Sequence, residues 1–151
     1  MFSEDEKWMS LCLKEANAAL ENGEIPVGAA IVRDGALLSL SHNLCENEKD
    51  ATAHAECLAI SRACRELGSW RLSGCTLYVT LGPCPMCAGA AVNARVKRIV
   101  FGAKNPRMGA CESLLKLQSY PLEVTPVCEG GVMAEDSLEL MRDFFSKKRN
   151  S

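Results

Sequence analysis

Apolar positions near the start of the chain recur with the period of a helix: Trp8, Leu11, Cys12, Ala16, Ala19 and Leu20 share one face. Ser3 and Glu6 have capping-box spacing and start this helix, and Asn22-Gly23 ends it. The period then changes. Residues 27–32 are an unbroken apolar run, Arg33-Asp34-Gly35 turns the chain, and 36–41 returns, which predicts a hairpin. Residues 43–52 are polar and read as a loop. Helical spacing resumes over 53–67 and stops at Gly68. Residues 75–80 are rich in β-formers and lie between Gly74 and Gly82-Pro83, so they predict a strand. Pro85 suits the first turn of a helix reaching 94. Further strands are expected at 98–102 and 122–127, and a last helix at 134–148 carries the apolar stripe Leu138, Met141, Phe144 and Phe145.

A helix, a hairpin and then alternating helices and strands predict an α/β layered sandwich with a mixed sheet of five strands. The chain of 151 residues is long enough for one domain with a full core. With 48% hydrophobic and 24% charged residues it is neither disordered nor membrane-like in composition. No apolar run approaches the roughly 20 residues of a membrane span. The acidic start (Glu4, Asp5, Glu6) lacks the basic and apolar regions of a secretory signal. A soluble, cytoplasmic protein without a membrane partner is expected.

In that compartment nine cysteines do not predict a disulfide framework. Cys12, Cys45, Cys57, Cys64, Cys75, Cys111 and Cys128 sit among apolar neighbours and read as small buried hydrophobes. Cys84 and Cys87 alone have ligand spacing. The net charge of −2 gives little support to general nucleic-acid binding, but the charge is segregated. Residues 3–24 are mainly acidic. Residues 95–116 carry Arg95, Lys97, Arg98, Lys104, Arg107 and Lys116 against Glu112 alone, and the chain closes on Lys147, Lys148 and Arg149. Such a span can form a local basic face for phosphates, or simply solvated loops and helix ends; charge alone slightly favours the second.

Two short motifs carry the chemistry. Thr52-Ala-His54-Ala-Glu56 and Gly82-Pro83-Cys84-Pro-Met-Cys87 each stand where a helix begins. In mid-helix each residue turns about 100°, so His54 and Glu56 would point to nearly opposite sides. Their pairing makes sense only if the helix meets the site end-on. One imidazole and two thiolates suit tetrahedral zinc, with the fourth position left to water. Helix N-termini favour the thiolate form. Two thiolates neutralise the dication and weaken its acidifying effect on water, which leaves work for Glu56 as the group that moves protons. Taken singly, the pieces have other readings. The Cys-Pro-Met-Cys motif equally resembles a thiol redox site, His54 a structural histidine, and Glu56 a surface residue. A closed structural zinc site is open if Cys57 supplies a fourth sulfur. Together they match H-x-E…P-C-x-x-C, the signature of zinc nucleobase deaminases.

The likeness extends past the signature. Residues 25–28 (IPVG), 52–56 (TAHAE), 76–81 (TLYVTL), 83–90 (PCPMCAGA), 99–103 (IVFGA) and Asp143-Phe144-Phe145 with the basic residues after it resemble bacterial tRNA-specific adenosine deaminases of the cytidine deaminase-like superfamily. The resemblance implies a three-layer α-β-α sandwich, one zinc per subunit, a homodimer, and conversion of the wobble adenosine of a tRNA anticodon loop to inosine. It assigns the metal to His54, Cys84 and Cys87 and the catalytic carboxylate to Glu56. It gives Asn43 a hydrogen bond to the flipped base, Ala55 a backbone contact and Val27 the pocket wall. Phe145, Lys147, Lys148 and Arg149 would approach the anticodon loop, aromatics on splayed bases and cations on phosphates. The same chemistry on a free base or nucleoside (guanine, cytosine or cytidine) is the alternative. Two positions depart from the family pattern: Gly82 stands where Glu is usual, and Asn105 where Asp is usual. The first is expected either to loosen the surroundings of Cys84 or to serve a tight turn. The second is expected to contact substrate and relax its choice toward single-stranded DNA.

Overall fold

A computed structural model describes residues 2–105, 109–111 and 125–149. Helix α1 (Glu4–Glu21) starts at the expected capping box, with both reciprocal bonds between Ser3 and Glu6 in place. Strands β1 (Gly28–Arg33) and β2 (Ala36–His42) form the hairpin. Asp34 and Gly35 both have positive φ, 49° and 76°, as a two-residue turn between twisted strands requires. A short helix α2 (Cys45–Glu48) interrupts the expected loop. Next come α3 (Ala55–Leu67), β3 (Thr76–Leu81), α4 (Pro85–Asn93), β4 (Arg98–Ala103), β5 (Val127–Glu129) and α5 (Ala134–Arg149).

The sheet order is β2-β1-β3-β4-β5, with β1 antiparallel to β2 and β3, and β3-β4-β5 parallel. Alternate residues of the central strands serve opposite layers. Ile31, Leu77, Val79, Ile99 and Phe101 pack with Ala59, Ile60 and Ala63 of α3 and Ala91 of α4. Ala30, Val32, Tyr78 and Val100 pack with Trp8, Met9 and Cys12 of α1, joined by Val132 and Met133 ahead of α5. The molecule is thus the three-layer α-β-α sandwich with a five-stranded mixed sheet. Burial on both faces explains why these strands read as apolar runs.

Three expectations need correction. The fifth strand is Val127–Glu129, so 125 and 126 of the expected 122–127 are not strand; Pro126 has no N–H to give a ladder, and 122–124 lie outside the described residues. On α5 the buried positions are Ser137 and Phe144, two turns apart, whereas Leu138 and Phe145 are exposed. The Ser137 hydroxyl donates to the Thr80 carbonyl, so a polar residue marks the inner face and hides it from a hydrophobic pattern. Of the cysteines expected to be buried, only Cys12, Cys75 and Cys111 are; Cys45, Cys57, Cys64 and Cys128 are half-exposed. No described helix is long and apolar enough to cross a membrane.

One polar cluster ties α1 to the sheet. Asp5 accepts from Arg98 at 2.9 Å and from the Tyr78 hydroxyl at 2.7 Å, and Arg98 also pairs with Glu129 on β5. The Arg98 guanidinium holds the Asp5 carboxyl below its usual range, more than offsetting the effect of burial. Because the folded value lies below the unfolded one, this stability is present above the unfolded pKa and is lost as pH falls through the folded value. Asp5→Asn is expected to cost about 1–2 kcal/mol at neutral pH, with the gap to wild type closing in acid; denaturant melts at several pH values check it. The same cluster engages part of the basic 95–116 span. Arg95, at the end of α4, donates to the carbonyls of Val92 and Asn93.

Candidate active site and metal centre

Both motif helices meet the site end-on. His54 is the N-cap of α3, in extended conformation, and Cys84 is the N-cap of α4 with Pro85 at its first position. Neither cap side chain bonds its own first turn; both are turned toward each other instead. The His54 Nδ1 lies 3.6 Å from Cys84 Sγ and 3.5 Å from Cys87 Sγ, and the three ligand atoms fall within 4.8 Å of one another. A tetrahedral zinc ion with Zn–N about 2.1 Å and Zn–S about 2.3 Å would set its N···S edges at about 3.6 Å, so the donor set fits. Cys57 Sγ touches Cys87 Sγ at 3.7 Å but stays outside this mutually close set among the described residues. Among the described residues the fold therefore brings together three donors that could hold a metal ion.

The protonation of the two thiols is lopsided. A hydrogen bond from Cys87, assisted by His54, pushes the Cys84 thiol down to about 4. Cys87, bonded to Cys57 and Cys84 and buried, is raised. The pair thus holds one thiolate readily, and a divalent cation is what favours release of the second proton. His54 is raised, first by its bond to Cys84. Glu56, at the second position of α3, is 4% exposed, and burial raises its carboxyl above the usual range.

These groups open on a cavity of about 530 Å³, within the roughly 300–1,000 Å³ typical of ligand sites. His54, Glu56 and Cys84 lie on its wall, with Ala55 between the first two. Over residues 3–149 the chain matches the model of the MafB19-like deaminase family. It is 45% identical, over 97% of its length and 92% of the relative's, to a tRNA-specific adenosine deaminase of Bacillus subtilis. The chain belongs to the family of the tRNA-specific adenosine deaminases. A solved structure from a study of tRNA:A34 deaminases, 43% identical, superimposes with a TM-score of 0.85 over 87% of this chain and 96% of that one. A guanine deaminase from Nitrosomonas europaea, 22% identical, shares the fold with a TM-score of 0.77 over 93% of this chain and 84% of that one.

Around the cavity of this deaminase stand Val27, Asn43, Ala55 and Asn105, all singled out from the sequence, together with Lys148. Phe145 and Lys147 are not on its wall; Phe145 is 46% exposed. The Arg149 side chain lies outside the described residues. Phe144, expected in the apolar stripe, lines the cavity, with its ring edge-on to Phe145 at 5.4 Å and Lys148 over its face. Gly82 is also on the wall, and a Cβ there would meet the Asn105 backbone nitrogen at 3.2 Å, so the missing side chain lets the end of β4 close on this turn.

Glu24 was missed. It is fully buried and accepts from Asn43 Nδ2 at 3.3 Å, Glu46 N at 3.1 Å, Asn47 N at 2.7 Å and Asn47 Nδ2 at 2.6 Å. Burial alone would raise its carboxyl, but these donors more than offset that and hold it low. The carboxylate thus fixes the loop bearing Asn43, Cys45 and Glu46 on the cavity wall. The only sequence signal was an acidic residue directly before an Ile-Pro-Val-Gly run.

Proposed function

We propose that this chain is a zinc-dependent hydrolytic deaminase that converts the wobble adenosine, position 34, of tRNA to inosine. The observation that carries it is the placement of a buried Glu56 beside the His54–Cys84–Cys87 set at the wall of a base-sized cavity. The end-to-end likeness to tRNA-specific adenosine deaminases supports the substrate. His54, Cys84 and Cys87 would hold zinc, which, when bound, supplies a Lewis acid that makes water nucleophilic near neutral pH.

The remaining work falls to the chain. Glu56 takes a proton from the attacking water and delivers it to the ring nitrogen beside the amino-bearing carbon. It then takes the second proton from the newly formed hydroxyl and gives it to the amine, which leaves as ammonia. Water's oxygen stays on the base and its protons are only relocated, so one carboxylate suffices. A carboxyl whose pKa is raised by burial is suited to both directions of transfer. Val27 and Ala55 wall the base, and Asn43, oriented by Glu24, hydrogen-bonds it. Phe144 and Lys148 face the anticodon loop from the cavity rim, with Phe145, Lys147 and Arg149 beyond them on the same helix.

Asn105 belongs to this contact, and Asn105→Asp is expected to shift activity toward RNA over single-stranded DNA. An unchanged ratio of initial rates on the two ends that role. A homodimer in the cytoplasm completes the reading. The groove lined by Cys57, Pro85, Met86 and Gly89, beside the ligand set, offers an exposed methionine for such a contact.

Ammonia release tests substrate class. Incubated with zinc-loaded protein, an anticodon stem-loop is expected to release ammonia while free guanine, cytosine and cytidine do not. The reverse pattern establishes a free-base deaminase instead. Chelation is expected to abolish release and added zinc to restore it.

A further inference from the structure

One pair of sulfurs stands apart from the ligand set. Cys128 Sγ lies 3.2 Å from Cys111 Sγ, closer than Cys57 is to Cys87. We propose that Cys111 and Cys128 form a redox-active dithiol that closes to an intramolecular disulfide on reaction with a low-molecular-weight disulfide such as glutathione disulfide.

Their positions favour this. Cys128 is the middle residue of β5, the short strand at the sheet edge, paired with Ile99 of β4. It is half-exposed, and it packs against the core cluster that contains Cys111. Cys111 is 1% exposed. Cys128 is the less buried of the two and would meet a dissolved oxidant first, while Cys111 is held within contact of that sulfur. Cys128 also approaches the Pro126 carbonyl, at 3.9 Å, a longer contact than its 3.2 Å approach to Cys111. Cys12 and Cys64 approach the carbonyls of Tyr78 and Trp70, and Cys45 approaches the Asn43 side-chain oxygen. Cys57 faces Cys87, which belongs to the ligand set.

The chemistry balances with the named oxidant. The Cys128 thiolate attacks one sulfur of glutathione disulfide and expels one glutathione thiolate. Cys111 then attacks Cys128 Sγ, and its proton passes to the second glutathione thiolate as that leaves. Two protein thiols are oxidised, and one disulfide is reduced to two thiols.

The new bond would tie the edge strand to the stretch that leaves the cavity wall. Gly109 N donates to the Asn105 carbonyl, and Ala110 N to that of Pro83, the residue before Cys84. Joining 111 to 128 closes a loop of 17 residues across the β4–β5 crossover, which restricts the unfolded chain and stabilises the fold. Neither cysteine lines the cavity, so activity is retained.

The test is to treat zinc-loaded protein with glutathione disulfide, then alkylate under denaturing conditions and map peptides by mass spectrometry. The expected product has lost the mass of two hydrogens and links Cys111 to Cys128. Its Tm is higher by about 5–10 °C, and dithiothreitol reverses the change. Cys128→Ser should show neither effect, and Cys111→Ala should stop at a glutathione adduct on Cys128. A linkage within Cys57, Cys84 and Cys87, a stable adduct on wild-type Cys128 with Cys111 still alkylated, or no reaction would each overturn the proposal. The wild-type map decides the matter even if a variant folds poorly.

Discussion

Glu56→Gln is expected to lower the deamination rate by about 10⁴-fold while zinc content stays at one ion per chain. The loss lies at the upper end for a single acid–base group because Glu56 serves every proton transfer in the reaction. Glutamine keeps the shape of the side chain and its place on α3, and His54, Cys84 and Cys87 are untouched, so the metal should remain. The same substitution is expected to raise the Tm of the metal-free protein, because it removes a carboxylate whose charged form burial disfavours. Rate, metal content and melting measured on one preparation check all three parts. Activity within tenfold of wild type would mean that another group moves the proton.

Gly28→Ala is expected to cost more than about 3 kcal/mol, a large effect for one methyl group. A Cβ at residue 28 would sit 2.0 Å from the Cys12 carbonyl oxygen and 2.9 Å from the Ala16 nitrogen. These are backbone atoms of α1, so no side chain can swing aside. The helix would have to lift from β1, taking with it the burial of Met9, Cys12 and Ala16. Val27, next to the glycine, lines the cavity, so activity should fall at temperatures where the fold survives. Thermal and denaturant melts measure the loss, and a change under 1 kcal/mol would show that α1 does not press on β1 this closely.

Sequence and structure agree where local chemistry leaves one solution. Ser3 with Glu6 could only cap a helix, and Asp34-Gly35 supplies two residues suited to the positive φ of a tight hairpin. The end-on placement of His54 and Glu56 was readable too, because no mid-helix geometry lets residues two apart converge. Other features depended on partners distant in the chain. Ser137 gave no apolar signal, yet its bond to the Thr80 carbonyl sets which face of α5 turns inward and so brings Phe144, rather than Phe145, to the cavity. Glu24 reads as one more acid in an acidic segment. Its role emerges only when the Asn43–Asn47 loop folds over it and supplies four donors. At β5, Pro126 has no N–H for the ladder, and the described strand starts at the next residue, Val127.

The central claim is that this site acts on one adenosine in a tRNA anticodon. Sequencing tRNA after incubation with the purified, zinc-loaded protein reads it most directly, since inosine is copied as guanosine. Inosine at position 34, absent elsewhere and absent with Glu56→Gln, is the expected result. Unedited position 34 in tRNAs that carry adenosine there, under conditions where the same preparation deaminates a free base, would contradict it.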